Sequence, residues 1–261
     1  MTVNEDFEAW YRNIYGSRWK KLRESLLDSV TAFPYAEGLA LPYCLNRASV
    51  LAAESLRLDA EGLILDACAA PGGKSLVIAS RLKNGCPENG PRLLCNELSA
   101  ERRRRLSEVL DRHLFPETRS RIRVSGFDAA AQGGRKSEQG RFCAILLDAP
   151  CSSEEHVLKD QKAYMAWKPG RPRFLAQRQW ALLSSCFLLL EKGGSLVYST
   201  CALNPEENEG VAGRLLKKYG DTVEPDLPGF SEGEAGPLGR MILPDTSGMG
   251  PMYVARFRKK A

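Results

Sequence analysis

The sequence predicts an α/β fold with a mainly parallel sheet, preceded by a small helical segment. Three observations carry that expectation. Short apolar runs recur from residue 63 onward, segments of helical periodicity separate them, and the first run is followed by a Gly-rich turn. Continuously apolar strands alternating with helices describe a parallel sheet covered on both faces. At about 150 residues per domain, 261 residues allow one large α/β unit with an appendage.

The elements follow in chain order. Phe7, Trp10, Tyr11 and Ile14 repeat at helical spacing up to Gly16. Ser17 is placed to cap a second run in which Trp19, Leu22 and Leu26 share a face. A connection through Pro34, Gly38 and Pro42 leads to an amphipathic helix over 46–58. The division expected is a helical segment, 1–58, and a main domain, 59–261. Strands are expected over 63–66, 92–95, 122–124, 143–147 and 195–198, with a last one over 252–257. Helices are expected over 74–83, 99–112, 174–190 and 206–219. The stretch 224–239, rich in Gly, Pro and acidic residues, reads as a loop.

Composition narrows the function classes. Hydrophobic residues make up 43% and charged ones 26%, as in ordinary soluble globular proteins. The longest strongly apolar stretch, 180–190, already contains Ser184 and Ser185, far short of the about 20 residues of a membrane span. The N-terminus has neither a basic nor an apolar leader region, so no secretory signal is expected. The eight cysteines, at 44, 68, 86, 95, 143, 151, 186 and 201, include no Cys-x-x-Cys pair, and only two histidines accompany them. No metal site is therefore expected, and the thiols suit a reduced, cytoplasmic protein. The net charge of +5 fits a polyanionic partner.

The first strand runs into Asp66-Ala-Cys-Ala-Ala-Pro-Gly-Gly-Lys74. Small residues let the backbone approach a ligand, and the helix that follows offers free N–H groups. The spacing is neither Gly-x4-Gly-Lys-Ser nor Gly-x-Gly-x-x-Gly, so mononucleotide and dinucleotide loops lose weight. Glu97, Asp128 and Asp148 end three successive strands, a ring of acceptors suited to an adenosine-bearing cofactor. Cys151 and Cys201 follow the fourth and fifth strands, about 4.8 Å apart as neighbours, so both thiols can open on one pocket. Cys44, Cys86, Cys95, Cys143 and Cys186 read as core residues, and Cys68 as backbone of the ligand turn.

The motifs 66–74, Asp148-Ala-Pro-Cys151 and Ser199-Thr-Cys201 together resemble the Fmu/Sun-type RNA cytosine-C5 methyltransferases, over about residues 42–258. The endings 250–254 and 150–156 look like the branch of the mitochondrial small-subunit ribosomal RNA enzyme. The resemblance implies a Rossmann-like class I methyltransferase with a mainly parallel seven-stranded sheet, using S-adenosylmethionine on RNA. It implies that Cys68, Ala69, Ala70, Pro71, Gly72, Gly73 and Lys74 wrap the cofactor. Glu97 would hold the ribose, with Arg102 and Asp128 completing the adenosine site. Asp148 would touch cofactor and base, Cys201 would be the nucleophile and Cys151 would help release product.

The chemistry suits those residue types. A thiolate adding at C6 makes C5 of cytosine nucleophilic enough to accept a methyl group. Asp148, held protonated, is the candidate group at N3. Lys74 reads either as support for the thiolate or base, or as a solvated lysine. His156 reads either as a proton relay or as an exposed loop residue. The 152–156 loop departs from the family's usual Ser-Gly-x-Gly. Residues 159–178 carry Lys159, Lys162, Lys168, Arg171, Arg173 and Arg178 with Tyr164, Trp167 and Phe174 interleaved, a recipe for single-stranded or looped RNA, with ribosomal RNA the expected class. Within Arg102-Arg-Arg-Arg105, residues 103–105 read as a solvated face. The enzyme core leaves no separate RNA-binding domain in the chain, so a protein partner that delivers the RNA stays open. Two other readings stand beside this one: a DNA cytosine-C5 methyltransferase, and a non-catalytic RNA-binding assembly factor.

Overall fold

Asn4 starts the first helix, its side-chain oxygen accepting from the Phe7 amide at 3.1 Å. Helix α1 (Glu5–Tyr15) ends at Gly16, and a 3₁₀ turn (Gly16–Arg18) feeds directly into α2 (Trp19–Leu27). The expected Ser17 cap does not form, because Ser17 lies inside that turn and no side chain caps α2. The computed structural model describes residues 3–28, 32–82 and 92–261. A small hairpin, β1 (Phe33–Tyr35) with β2 (Tyr43–Leu45), occupies the expected connection. Asn46 then caps α3 (Arg47–Glu54), accepting from the Ala48 amide at 2.9 Å.

The alternating half follows the expected order closely. It runs β3 (Leu63–Asp66), α4 (Gly73–Ser80), β4 (Leu93–Asn96), α5 (Ala100–His113), α6 (Pro116–Arg119) and β5 (Ile122–Ser125). Then come α7 (Ala129–Gln132), β6 (Phe142–Asp148), α8 (Glu154–Lys159), α9 (Gln161–Ala166), α10 (Gly170–Leu189) and β7 (Leu190–Thr200). The chain finishes with α11 (Glu209–Tyr219), β8 (Val223–Pro225), β9 (Glu234–Ala235), β10 (Gly239–Ile242), α12 (Pro244–Ser247) and β11 (Met252–Lys259).

Among the described residues the main sheet has nine strands in the order β5-β4-β3-β6-β7-β11-β10-β9, with β8 also paired to β11. Strands β3 to β7 are mutually parallel, and the β11 end is antiparallel. The six strands placed from the sequence are all present, but the sheet has nine strands rather than the seven the resemblance implied, the others being β8, β9 and β10. Strands β8 and β9 lie at the start of and within the 224–239 stretch read as a loop. They are short and mostly exposed, so no apolar alternation announced them. The chain runs outward from β3 to β5 and returns to β6 on the other side of β3. That reversal is the switch point at which open α/β sheets hold ligands.

Alternation along the strands builds the two covered faces. Ile64 and Leu93 point into a layer with Leu76, Leu106 and Leu110, whereas Leu65 and Leu94 point into one with Phe187 and Tyr198. A third cluster joins α1 and α2 to α8 and α9 through Phe7, Tyr11, Trp19, Val157, Tyr164 and Trp167. The Phe7 ring lies 5.1 Å from Trp167 and 5.2 Å from Tyr164, both edge-on. No helix among the described residues is long and apolar enough to cross a membrane.

Candidate active site

The turn after β3 depends on two glycines. Gly72 has φ +119, a conformation side chains disfavour, and a Cβ there would lie 3.0 Å from Val109 Cγ1. A Cβ on Gly73 would lie 2.4 Å from Leu45 Cδ2, so with residue 73 bare the β2 side chains pack directly on the turn. The Ala70–Pro71 peptide is cis. Asn96, which the sequence reading passed over, ties this turn to the next strand end. Its amide donates to Ala67 O and Phe127 O, and its oxygen accepts from the Phe127 amide at 3.0 Å.

Two cavities flank Cys68. The first, about 300 Å³, is lined by Cys68, Glu97, Arg102, Phe127, Asp128 and Pro150 among others. Glu97 is held by the Ser99 amide at 2.9 Å and by Arg102 at 3.3 Å, and Arg102 also donates to Ala70 O. Asp128 caps α7 through the Ala130 amide. The expected adenosine residues thus share one hollow. Arg103 departs from its expected solvated role, since it donates to Glu97 O at 2.8 Å and buttresses the strand end.

The second cavity, about 260 Å³, includes Asp66, Cys68, Pro71, Lys74 and Asp148 in its wall. Lys74 Nζ donates to Asp148 Oδ2 at 2.8 Å, and Ser199 donates to Asp148 Oδ1 at 2.8 Å. Burial alone pushes the Lys74 ammonium down, but Asp148 and then Cys201 and Asp66 hold its pKa above the usual lysine value. Lys74 is therefore an ion-pair partner of Asp148 rather than a solvated lysine. Asp66 is fully buried; burial pushes it up to about 7, and its Oδ1 has no partner. Cys44, expected in the core, is exposed and contributes to this same wall. Cys95, Cys143 and Cys186 are buried as expected, and Cys86 lies outside the described residues.

Cys151 and Cys201 stand together at the ends of β6 and β7, their sulfurs 3.1 Å apart. The Ser153 hydroxyl lies 3.2 Å from Cys201 Sγ and 3.5 Å from Cys151 Sγ. The Cys151 contact, opposed by burial and assisted by Ser153, lowers the Cys201 pKa below the usual thiol value. The same contact and burial push the Cys151 thiol up, so of the pair Cys201 is the thiol that more readily gives up its proton.

Beneath the two thiols lies a buried carboxyl pair that sequence reasoning missed. The Ser152 hydroxyl reaches Glu154 Oε1 and also Glu207 Oε1 at 2.5 Å. Tyr11 donates to Glu154 as well, the Leu203 amide donates to its other oxygen, and Gln179 and the Ser152 amide donate to Glu207. One hydroxyl has one hydrogen to give, so one carboxyl of the pair must carry a proton. Burial, then Glu154, pushes Glu207 up to about 7 and makes it the holder. In the sequence these acids look like solvated loop residues, and no spacing marks them.

The basic segment is divided. Lys162, Lys168, Arg171 and Arg178 are exposed, as is Phe174 at 65%, while Tyr164 and Trp167 are 4% and 1% exposed in the third cluster. Those two rings are core, not stacking platforms. His156 is exposed on α8. Among the described residues no group of three or more His, Cys, Asp or Glu could hold a metal ion.

Residues 53–258 match the family described as 16S rRNA methyltransferase RsmB/F. The chain belongs to that family. Ribosomal RNA small subunit methyltransferase F of Escherichia coli O127:H6 is 38% identical over 245 residues, 89% of this chain and 48% of the relative. The chain thus spans about half the length of the curated relatives it matches. Among solved structures, NSun6 from Pyrococcus horikoshii with SFG has a TM-score of 0.70 at 24% identity, covering 87% of this chain and 54% of that one. A methyltransferase homolog protein from the same organism has a TM-score of 0.74 at 21% identity, covering 97% and 94%. Both share the fold. An RsmB/F methyltransferase implies S-adenosylmethionine, and the residues present fit it. Glu97 and Asp128 face one hollow, Asp66 Oδ1 is left without a donor beside the other, and Cys68 joins the two.

Proposed function

We propose that this RsmB/F chain methylates carbon 5 of cytosine in ribosomal RNA through a covalent adduct at C6. The observation that carries the reading is the thiol pair, 3.1 Å apart, at the strand ends beside the Lys74–Asp148 pair. S-adenosylmethionine, when bound, supplies the methyl group as an electrophilic sulfonium. Glu97, Arg102 and Asp128 hold its adenosine end, and the 68–74 turn wraps the rest. Cys201 is the nucleophile: the contact with Cys151 lowers its pKa and raises that of Cys151, so it is the thiol of the pair that ionises more readily. Asp148 and Lys74 face the base and steady the charge that develops at N3. Once C5 carries the methyl group, the C5 proton passes to a base, the C5–C6 double bond re-forms and Cys201 departs as the thiolate in which it began. Cys151 Sγ–H, already against Cys201 Sγ, assists the release by donating a hydrogen bond to the departing sulfur. This division uses 1–58 as a helical cover and 59–261 as the methyltransferase domain, acting in the cytoplasm. RNA docks on the exposed cations of 159–178, with any delivering protein supplied from outside the chain.

The two thiols separate this reading from its competitors. Cys201→Ala should be inactive and form no covalent RNA complex. Cys151→Ala should attack and methylate but stall, giving a cofactor-dependent band shifted by bound RNA on a denaturing gel. The adduct trapped instead in Cys201→Ala assigns the nucleophile to the Pro-Cys motif, as in DNA-type chemistry. Full activity in both variants removes the covalent mechanism, and no methylation in the native chain leaves an RNA-binding assembly factor.

A further inference from the structure

Ser153 is the one non-glycine residue at positive φ among the described residues, with φ +52 and ψ +62. L side chains seldom adopt that region, and where they do the surroundings hold them there. Here the flanking residues are fixed on both sides. The Ser152 amide donates to Glu207, Glu154 accepts from the Leu203 amide, and the Val157 amide donates to Ser153 O at 3.0 Å.

The hydroxyl also gives up its ordinary use. A serine preceding a helix normally caps it, yet Ser153 stands at the start of α8 and makes no side-chain cap hydrogen bond. It lies instead 3.2 Å from Cys201 Sγ and 3.5 Å from Cys151 Sγ. A thiolate has no proton to give, so against that form of Cys201 the hydroxyl can only donate.

We propose that Ser153 is a further catalytic residue, whose hydroxyl donates a hydrogen bond to Cys201 Sγ and favours its thiolate. The proposal rests on the reading of Cys201 as the nucleophile. The charges nearby make a donor necessary. Asp148 and Glu154 oppose a negative sulfur at this place, burial opposes it too, and Lys74 is already engaged by Asp148. The buried thiol of Cys186, which no neighbouring hydroxyl meets, is pushed up by the same burial. Cys201 goes the other way with Cys151 and Ser153 against it.

The test is alkylation of the full chain by iodoacetamide across pH 5.5–9.5, with Cys201 and Cys151 resolved by peptide mass spectrometry. Glycine accepts the left-handed conformation, so Ser153→Gly removes the hydroxyl without straining the loop. Its Cys201 profile should move up by about one pH unit and its rate at pH 7 should fall about tenfold, the worth of one hydrogen bond to a charged group. Its Tm should not fall. Ser153→Ala should move the profile equally while lowering Tm. An unchanged Cys201 profile in Ser153→Gly overturns the proposal, and so does a shift confined to Ser153→Ala, which would assign the effect to the backbone. In turnover, Ser153→Gly should lower kcat with the KM for RNA unchanged. Methylation retained by Cys201→Ala overturns the nucleophile and with it the catalytic role, whereas the alkylation profile decides the hydrogen bond separately.

Discussion

Two carboxylates at strand ends on either side of β3 do different work because their partners differ. Asp148 is shared between a cation, Lys74, and a hydroxyl, Ser199, at the edge where the thiols open. Glu97 is 5% exposed and fixed by the Ser99 amide and Arg102, with its ring-like hollow facing Asp128. A carboxylate so held can accept from vicinal hydroxyls without reorganising, which is where its contribution to affinity lies. Glu97→Ala should weaken binding of S-adenosylmethionine at least tenfold by calorimetric titration, the loss of about 1.5 kcal/mol expected for hydrogen bonds to a charged group. Undiminished affinity in that variant would sink the ribose assignment. Lys74→Met should leave that affinity within about threefold but cut the rate of adduct formation with RNA, since it removes the cation beside Asp148 and Cys201; an unchanged adduct rate would return Lys74 to a purely structural place.

At the scale of elements, the third cluster explains what the sequence could not sort. Lys168, Arg171, Tyr164, Trp167 and Phe174 read alike as one basic-aromatic stretch, but α1 covers the rings of Tyr164 and Trp167 and leaves the cations outside. Glu8 of α1 accepts from Trp19, Tyr164 and Arg23, a buried acid whose pKa stays below the usual value because those donors outweigh its burial. The two kinds of residue should therefore fail differently. Lys168→Glu with Arg171→Glu should weaken RNA binding and flatten its salt dependence by about 0.7 in log–log slope per lost contact. Trp167→Ala should instead destabilise the fold by about 3–5 kcal/mol, read as a lower urea midpoint. A Trp167→Ala chain of native stability that had lost RNA affinity would restore the stacking role. The strands were legible because both faces of β3 to β7 are covered, so their apolar runs are continuous. The short edge strands β8 and β9, and the aromatics under α1, were not, because their placement depends on partners distant in sequence.

Across the whole molecule, the thiol loops are joined to distant parts of the chain through one buried acid pair. Ser152, Glu154 and Glu207 take donors from α1 (Tyr11), α10 (Gln179) and the Leu203 amide, and Tyr198 of β7 donates to Glu207 O at 2.5 Å. None of this was legible, since Glu154 and Glu207 sit in runs of acidic residues typical of solvated turns. The pair gives the fold a pH signature whose sign is fixed by burial. Glu207 and Asp66 both titrate near 7 in the folded chain, against ordinary carboxyl values of 4.5 and 3.8. Below about pH 4 both states bind these protons, so the two groups cost nothing there. As pH rises from about 4 to about 7 the unfolded chain releases protons that the folded chain keeps, and stability falls; above about 7 the loss is complete. Other carboxyls, such as that of Glu8, are lowered and act mainly below about pH 4.5. The urea midpoint should therefore decline between pH 5.5 and 8. Glu207→Gln mimics the protonated acid, accepting from Gln179 and the Ser152 amide while donating to the Ser152 hydroxyl. It should match the native chain only near pH 4, gain on it by about 2 kcal/mol between pH 5.5 and 8, and leave only the Asp66 share of the decline. A Glu207→Gln chain with the full native pH slope would show that Glu207 carries no extra proton in the folded state.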